Sequence, residues 1–253
     1  MKSRFNLSQE IIFGGVKLGI KPIVCVPVVS TEKKIIDKLK KLNNKIKLIE
    51  IRFDYIYNYN ISEDIFKIIS DIGIPYIFTF RSHMESDRGK NALKVDFDTR
   101  IKWYMSAIEQ GASMIDFELS SIKEYKKFLT LVEKAKNKNV GVIISYHNFQ
   151  ETPDVNNLLK IMEEENEYGA DVLKVATMVK KFEDIITLNM VTLKIREKLR
   201  KPLMTMGMGE IGISSRISTI AFGSDVVFAF IGKSSAPGQI SYYKIDRIIS
   251  YLY

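Results

Sequence analysis

Short apolar runs recur along the 253 residues, separated by segments in which apolar positions return every three or four residues. The runs cover residues 22–29, 48–54, 76–81, 113–119, 140–146, 172–176, 203–206 and 226–231. They are rich in Val, Ile and Phe and too short for helices, so the pattern predicts eight strands. The segments between them carry helix signals. Ser62 is placed to cap a helix with Ile65, Ile68, Ile69 and Ile72 at helical spacing, and Asp98 to cap one that stops at Gly111. Phe182, Ile185, Ile186, Asn189 and Leu193 mark one face of a long helix before Pro202. Strand and helix alternate throughout, which argues for a parallel sheet. Eight such units in about 230 residues match a (β/α)8 barrel. No Pro/Gly/Ser-rich linker divides the chain, so residues 1–253 are expected to form a single domain. Residues 4–20, with Gly14-Gly15 in the middle, suggest a β-hairpin that plugs the barrel floor.

Composition narrows the function. A hydrophobic fraction of 46% supports a sizeable core, and no apolar run is long enough to span a membrane. No secretory leader is read at Met1-Lys2-Ser3-Arg4, and the single Cys25 lies in an apolar run, so a reducing, cytosolic compartment is expected. The formal charge of +8 raises the question of nucleic acid. The basic residues, however, are mostly Lys, scattered with interspersed acids over segments such as 33–47 and 123–138, and no nucleic-acid motif accompanies them. A solvated surface that also attracts anionic small molecules is the favoured reading.

Candidate chemistry collects where such barrels keep their active sites, at the C-terminal ends of the strands. Lys174 interrupts the apolar stretch Val172-Leu173-Lys174-Val175-Ala176. A Lys is rarely buried without a partner or a task, and a neutral amine forms imines with carbonyl compounds. His147 ends the preceding strand, and His is the usual general base near neutral pH. In Glu50-Ile51-Arg52-Phe53-Asp54 the charged residues share one face and the apolar ones the other. Arg81 ends the third strand, Glu85 follows four residues later, and Asp116 and Glu118 alternate along the fourth. Asp54 and Asp116 read as ties for strand ends; Glu118 reads equally as a paired core carboxylate or a site residue. Arg52, Arg81 and Arg216 near one rim suit a carboxylate or phosphate. Gly207-Met208-Gly209-Glu210-Ile211-Gly212 fits a dinucleotide fingerprint, but it follows the seventh strand instead of an early one. A turn serving an anion is the better reading, with no nicotinamide cofactor. No metal-ligand spacing is present, so no metal is expected.

With these residues in view the chain resembles the type I 3-dehydroquinate dehydratases. The resemblance is carried by Glu50 to Asp54, Phe78 to Ser82, Met114 to Glu118, Ser145 to Phe149, Gly169 to Ala176, Met208-Gly209 through Ser215-Arg216, and Ser235 to Gln239, in family order. It implies a (β/α)8 barrel and dehydration of 3-dehydroquinate to 3-dehydroshikimate. It implies Lys174 as the Schiff-base lysine, His147 as general acid/base and Glu85 as the carboxylate that orients that His. Arg216 would hold the substrate carboxylate, with Ser235 and Gln239 closing over it; Glu50, Arg52 and Arg81 would hold ring hydroxyls and organise the pocket. No cofactor is implied, and the implied assembly is a homodimer. Two departures stand out: Ser86-Asp87 follow Glu85 where the family often has two Gly, and Pro27 occupies a position where some members carry Ser. A class I aldolase, which also uses a barrel Lys, and a basic nucleic-acid-binding protein remain as alternatives at this stage.

Overall fold

The computed structural model describes residues 9–58, 60–231 and 240–253. A two-stranded hairpin, β1 (Ile11–Phe13) and β2 (Val16–Leu18), opens the chain. Its turn is Gly14-Gly15, both at positive φ, as a tight two-residue hairpin requires. The eight expected strands follow: β3 (Ile23–Val28), β4 (Leu48–Arg52), β5 (Tyr76–Thr79), β6 (Met114–Glu118), β7 (Gly141–Asn148), β8 (Val172–Met178), β9 (Leu203–Met208) and β10 (Val226–Phe230). A short β11 (Ile240–Ser241) pairs with β10. The helices are α1 (Lys33–Lys41), α2 (Phe53–Ile56), α3 (Ile65–Ser70), α4 (Phe97–Glu109), α5 (Leu119–Glu124), α6 (Leu129–Asn137), α7 (Val155–Glu167), α8 (Phe182–Leu199), α9 (Ser215–Phe222) and α10 (Tyr242–Leu252).

The described residues cluster into two compact units, one of residues 9–12, 17–24, 143–231 and 240–253, the other of residues 13–16, 25–58 and 60–142. In the second, β3, β4, β5 and β6 pair in parallel in sequence order. Their interior is aromatic. Phe53 lies 5.0 Å from Phe78 and 4.8 Å from Trp103 of α4, which covers the outer face of these strands. The tip of the hairpin also belongs here: a side chain on Gly14 would strike Ser113 just before β6, and one on Gly141 at the start of β7 would strike Phe13. Both contacts lie at the N-terminal ends of the strands, as a floor plug requires. In the first unit β7, β8 and β9 pair in parallel under α7, α8 and α9. There the backbone N–H of Gly19, just past the hairpin, donates to Asp225 at the foot of β10.

Two helix starts differ from expectation. Asp96, not Asp98, caps α4, accepting from the Thr99 N–H at 2.8 Å; Asp98 instead pairs with Lys127 at 2.5 Å. At α3 the N-cap position is Asp64, and Ser62 accepts from the Asp64 N–H one step earlier. Both are Asx or Ser/Thr turns displaced by two residues, a shift that composition alone does not resolve. The long helix α8 buries Leu188, Val191 and Ile195, whereas Phe182, Ile186 and Leu193 of the expected apolar face lie outward.

Candidate active site

The first unit carries the amine and the base. Register pairs Ser145 with Lys174, His147 with Ala176, and Lys174 with Met204. Paired positions of parallel strands project to the same face, so Ser145, His147, Lys174 and Met204 look the same way. His147 lies one pleat nearer the C-terminal rim than Lys174, on the neighbouring strand. Lys174 is 3% exposed, with Nζ 4.8 Å from the ring centroid of Phe228 on β10. Its backbone N–H donates to Oε2 of Glu165, a fully buried side chain of α7, at 3.0 Å. His147 is half-buried and stacks on Phe149, with ring centroids 6.3 Å apart. The loop beyond it is tied down. Asn148 Oδ1 accepts from the N–H groups of Gln150 and Glu151, and Thr152 Oγ1 donates to the Met178 carbonyl at 2.9 Å.

Arg216 stands in the first turn of α9 in the same unit. The glycine-rich run before it folds back on itself: a side chain on Gly212 would run into the backbone of Gly207. Ser215 fastens the turn, accepting from the Gly207 N–H at 2.8 Å and donating to the Gly212 carbonyl at 2.6 Å. The glycines therefore form a tight turn that seats Ser215-Arg216. Arg216 is 7% exposed, and its Nε has no hydrogen-bond partner among the described residues. Burial, unopposed by any carboxylate among the described residues, pushes its pKa down to about 10. A buried cation in this condition is stabilised by an incoming anion.

The other unit holds its charges in closed networks. Arg81 meets Asp116 at 3.1 Å and Glu118 at 3.3 Å. Glu118 also meets Arg100 at 2.6 Å, accepts from the Ser82 N–H at 2.8 Å and from Ser121 Oγ at 2.6 Å. Burial alone would raise the Glu118 carboxyl; Arg100 and Arg81 outweigh it and hold it at about 2. Glu50 accepts from Thr79 Oγ1 at 2.9 Å. Arg52 grips Asp54 with Nε at 3.0 Å and Nη2 at 2.9 Å, and reaches Asp87 with Nη2 at 2.7 Å. Tyr55 lies between the Arg52 and Arg88 guanidiniums, 4.9 and 5.0 Å from its ring centroid. Glu85 is buried, accepts from Ser120 Oγ at 2.5 Å, and donates its N–H to Ser82 Oγ at 3.4 Å.

The family model for type I 3-dehydroquinase matches residues 24–253. The chain belongs to the type I 3-dehydroquinase family. It is 32% identical over 244 residues to the 3-dehydroquinate dehydratase of Aromatoleum aromaticum, covering 92% of this chain and 91% of that one. Among solved structures it is similar to 3-dehydroquinate dehydratase from Geobacillus kaustophilus, at 28% identity and a TM-score of 0.87 over 97% of both chains. It is equally similar to the type I enzyme from Clostridium difficile with covalently modified comenic acid, at 28% identity and a TM-score of 0.86 over 97% and 98%. These likenesses bear out the (β/α)8 fold class with its N-terminal hairpin. Membership makes the chain a dehydratase, an enzyme that breaks a carbon–oxygen bond with loss of water.

For a type I 3-dehydroquinase the expected site residues divide sharply. Lys174, His147 and Arg216 are placed by one unit; Glu50, Arg52, Arg81 and Glu85 by the other. Ser235 and Gln239 lie outside the described residues. Arg52 and Arg81 are each held by two carboxylates, whereas Arg216 has no carboxylate partner among the described residues. Several supporting residues went unread in the sequence. Arg100 sits mid-helix in a pattern indistinguishable from a solvated face. Ser120 is a short polar residue with no mark of its partner, and Asp87 stands out as a departure from the family but not as a partner of Arg52.

Proposed function

We propose that the chain converts 3-dehydroquinate to 3-dehydroshikimate through a covalent imine on Lys174. The observation that carries the reading is the common face of β7 and β8, where a buried amine and a half-buried imidazole stand one pleat apart. The Lys174 amine adds to the C3 ketone; loss of water gives an iminium, which acidifies the adjacent C2–H. His147 takes that proton, and the electron pair enters the enamine. The enamine expels the C1 hydroxyl, protonated by His147, as water. Hydrolysis of the conjugated iminium then frees product and amine. Net loss is one water, and no cofactor is invoked.

Arg216 is proposed to bind the substrate carboxylate, since it alone of the three rim guanidiniums has no carboxylate partner among the described residues. A single N–H of Arg52, together with Glu50, is suited to a ring hydroxyl. Arg81 is proposed as a framework residue that fixes β5 to β6. Glu85 is proposed to tune the base and Ser235 and Gln239 to close over the carboxylate, as the resemblance implies. The covalently modified ligand in the Clostridium difficile relative supports covalent chemistry at such a site. Residues 1–253 are proposed to act as one barrel domain, working in the cytosol as a homodimer. No described helix is long and apolar enough to cross a membrane.

Borohydride added during turnover should leave a reduced adduct on Lys174, located by peptide mass analysis, and Lys174→Ala should abolish both adduct and enone formation. Full turnover in Lys174→Ala would sink the mechanism.

A further inference from the structure

Helix α7 lies against β8 and buries the side chains of Leu158, Met162 and Glu165. Intervals of four and three residues put them in one stripe, the face that a helix presents to a sheet. The first two are apolar, as that face demands. The third is a carboxyl group closed off from water, whereas Glu163, Glu164 and Glu167 of the same helix are all at least partly exposed. Stability does not account for a carboxyl in this seat. Burying one is costly, and apolar residues of similar volume often replace buried charged groups with no loss or a gain.

What Glu165 touches does account for it. Its Oε2 accepts the backbone N–H of Lys174 at 3.0 Å. Its own carbonyl accepts from the Ala170 N–H at 3.2 Å, closing the turn between helix and strand. One residue thus fastens the end of α7 to the point on β8 that carries the amine. Asp225, in the same unit, supplies the contrast. It is also fully buried and accepts a strand N–H, from Leu203 at 2.8 Å, with Arg196 beside it at 2.7 Å. Leu203 is the first residue of β9, so that carboxylate ties down a strand end. Glu165 reaches inside β8, past Val172 and Leu173, to the one residue of the strand with reactive chemistry.

We infer that Glu165 is a positioning residue for the reaction: it holds the Lys174 backbone from behind the strand and so sets the amine where the substrate carbonyl arrives. The inference rests on the imine reading of Lys174 given above. Glu165 acts through Lys174, not on the substrate. A nucleophile whose main chain is fixed needs less reordering before attack, and small misplacements of reacting groups cost large factors in rate.

Three variants test this, each read as kcat and KM per folded molecule, with folding checked by circular dichroism. Glu165→Met completes the apolar stripe and should stay folded. Its kcat, and its rate of borohydride trapping at Lys174 under saturating substrate, should fall about tenfold or more while KM stays put. Glu165→Asp, one methylene shorter, should lose rate in the same way although the carboxyl is kept. Glu165→Gln offers an acceptor oxygen at the original reach and should restore kcat to within about twofold of wild type. Wild-type kcat in Glu165→Asp or in folded Glu165→Met would overturn the inference and leave the imine reading standing. A loss in Glu165→Gln as deep as in Glu165→Asp would overturn the hydrogen bond as its basis. If Glu165→Met does not fold, Glu165→Asp and Glu165→Gln decide by the same criteria. Absence of any borohydride adduct in the wild type would overturn the imine reading, and this inference with it.

Discussion

Arg81 and Arg216 are equally hidden from water, at 5% and 7% exposure, and the protein treats them in opposite ways. Arg81 lies between Asp116 and Glu118, and its pKa is raised: burial lowers it, but the two carboxylates prevail. Arg216 has burial and nothing to oppose it, and its pKa falls. A guanidinium saturated by carboxylates is part of the framework; one without them among the described residues is the better candidate for an anionic ligand. Charged residues of this chain that look alike in sequence therefore sit in two different conditions, and residue type does not distinguish them. What distinguishes them is the count of carboxylates delivered to each Arg.

The framework half is the place where the comparison breaks most expensively. Glu118→Ala would strand Arg81 and Arg100 in a dry interior, and removal of one member of a buried ion pair costs about 3–5 kcal/mol. Chemical denaturation should show that loss, with activity falling only because the fold fails. The same residue gives a pH signature. Its folded pKa is depressed from the ordinary 4.5 to about 2, so its contribution is complete above pH 4.5. That contribution should be lost as pH falls from 4.5 towards 2, amounting to about 3 kcal/mol. An acid transition unchanged in Glu118→Gln would show that some other carboxylate governs it.

The ligand-facing half should respond in the opposite sense. Arg216→Met removes a charge whose burial is uncompensated, so the empty enzyme should lose no thermal stability. Its KM for dehydroquinate should rise steeply, with kcat/KM lower by about a hundredfold, in the range for stripping a partner from a buried charge pair. The cost of charging Arg216 is fully present below pH 10 and fades as pH rises from about 10 towards 12.5, since its folded pKa lies below the unfolded one. A wild-type KM in Arg216→Met, or a large fall in Tm, would place Arg216 in the framework class with Arg81.

Much of this was legible before any coordinates. All eight strands were, because buried parallel strands leave aliphatic runs too short for helices, bounded by helix-patterned segments. So was the placing of His147 and Lys174 on neighbouring strands; that they share a face follows only from the register of β7 and β8. The state of each Arg was not. Asp116 and Glu118 share a face in the sequence, but their hold on Arg81 depends on the register of β5 and β6, and Arg100 reaches Glu118 from a helix with no sequence mark of its direction. The outward apolar residues of α8 show the complementary limit: periodicity announces an apolar face without saying whether the chain itself covers it.

Asp87 offers the finest test of the division, because it changes the condition of Arg52. A guanidinium has five N–H donors. Asp54 takes one from Nε and one from Nη2, and Asp87 takes the second from Nη2 and, at 3.5 Å, one from Nη1. One Nη1 donor remains, enough for a hydroxyl and too little for a carboxylate. Asp87 is itself held below the ordinary carboxylate range: burial raises it, and Arg52 overcomes that. Asp87→Asn should cost about 1 kcal/mol or less in stability, since the pair is a third exposed to water on the Asp87 side. It should return positive charge and a donor to Arg52, lowering KM for the anionic substrate a fewfold at low ionic strength while kcat stays put. The shift should vanish at high salt, where long-range attraction is screened. If KM is unmoved at low salt, Arg52 belongs wholly to the framework, and the ligand-facing set of guanidiniums among the described residues reduces to Arg216.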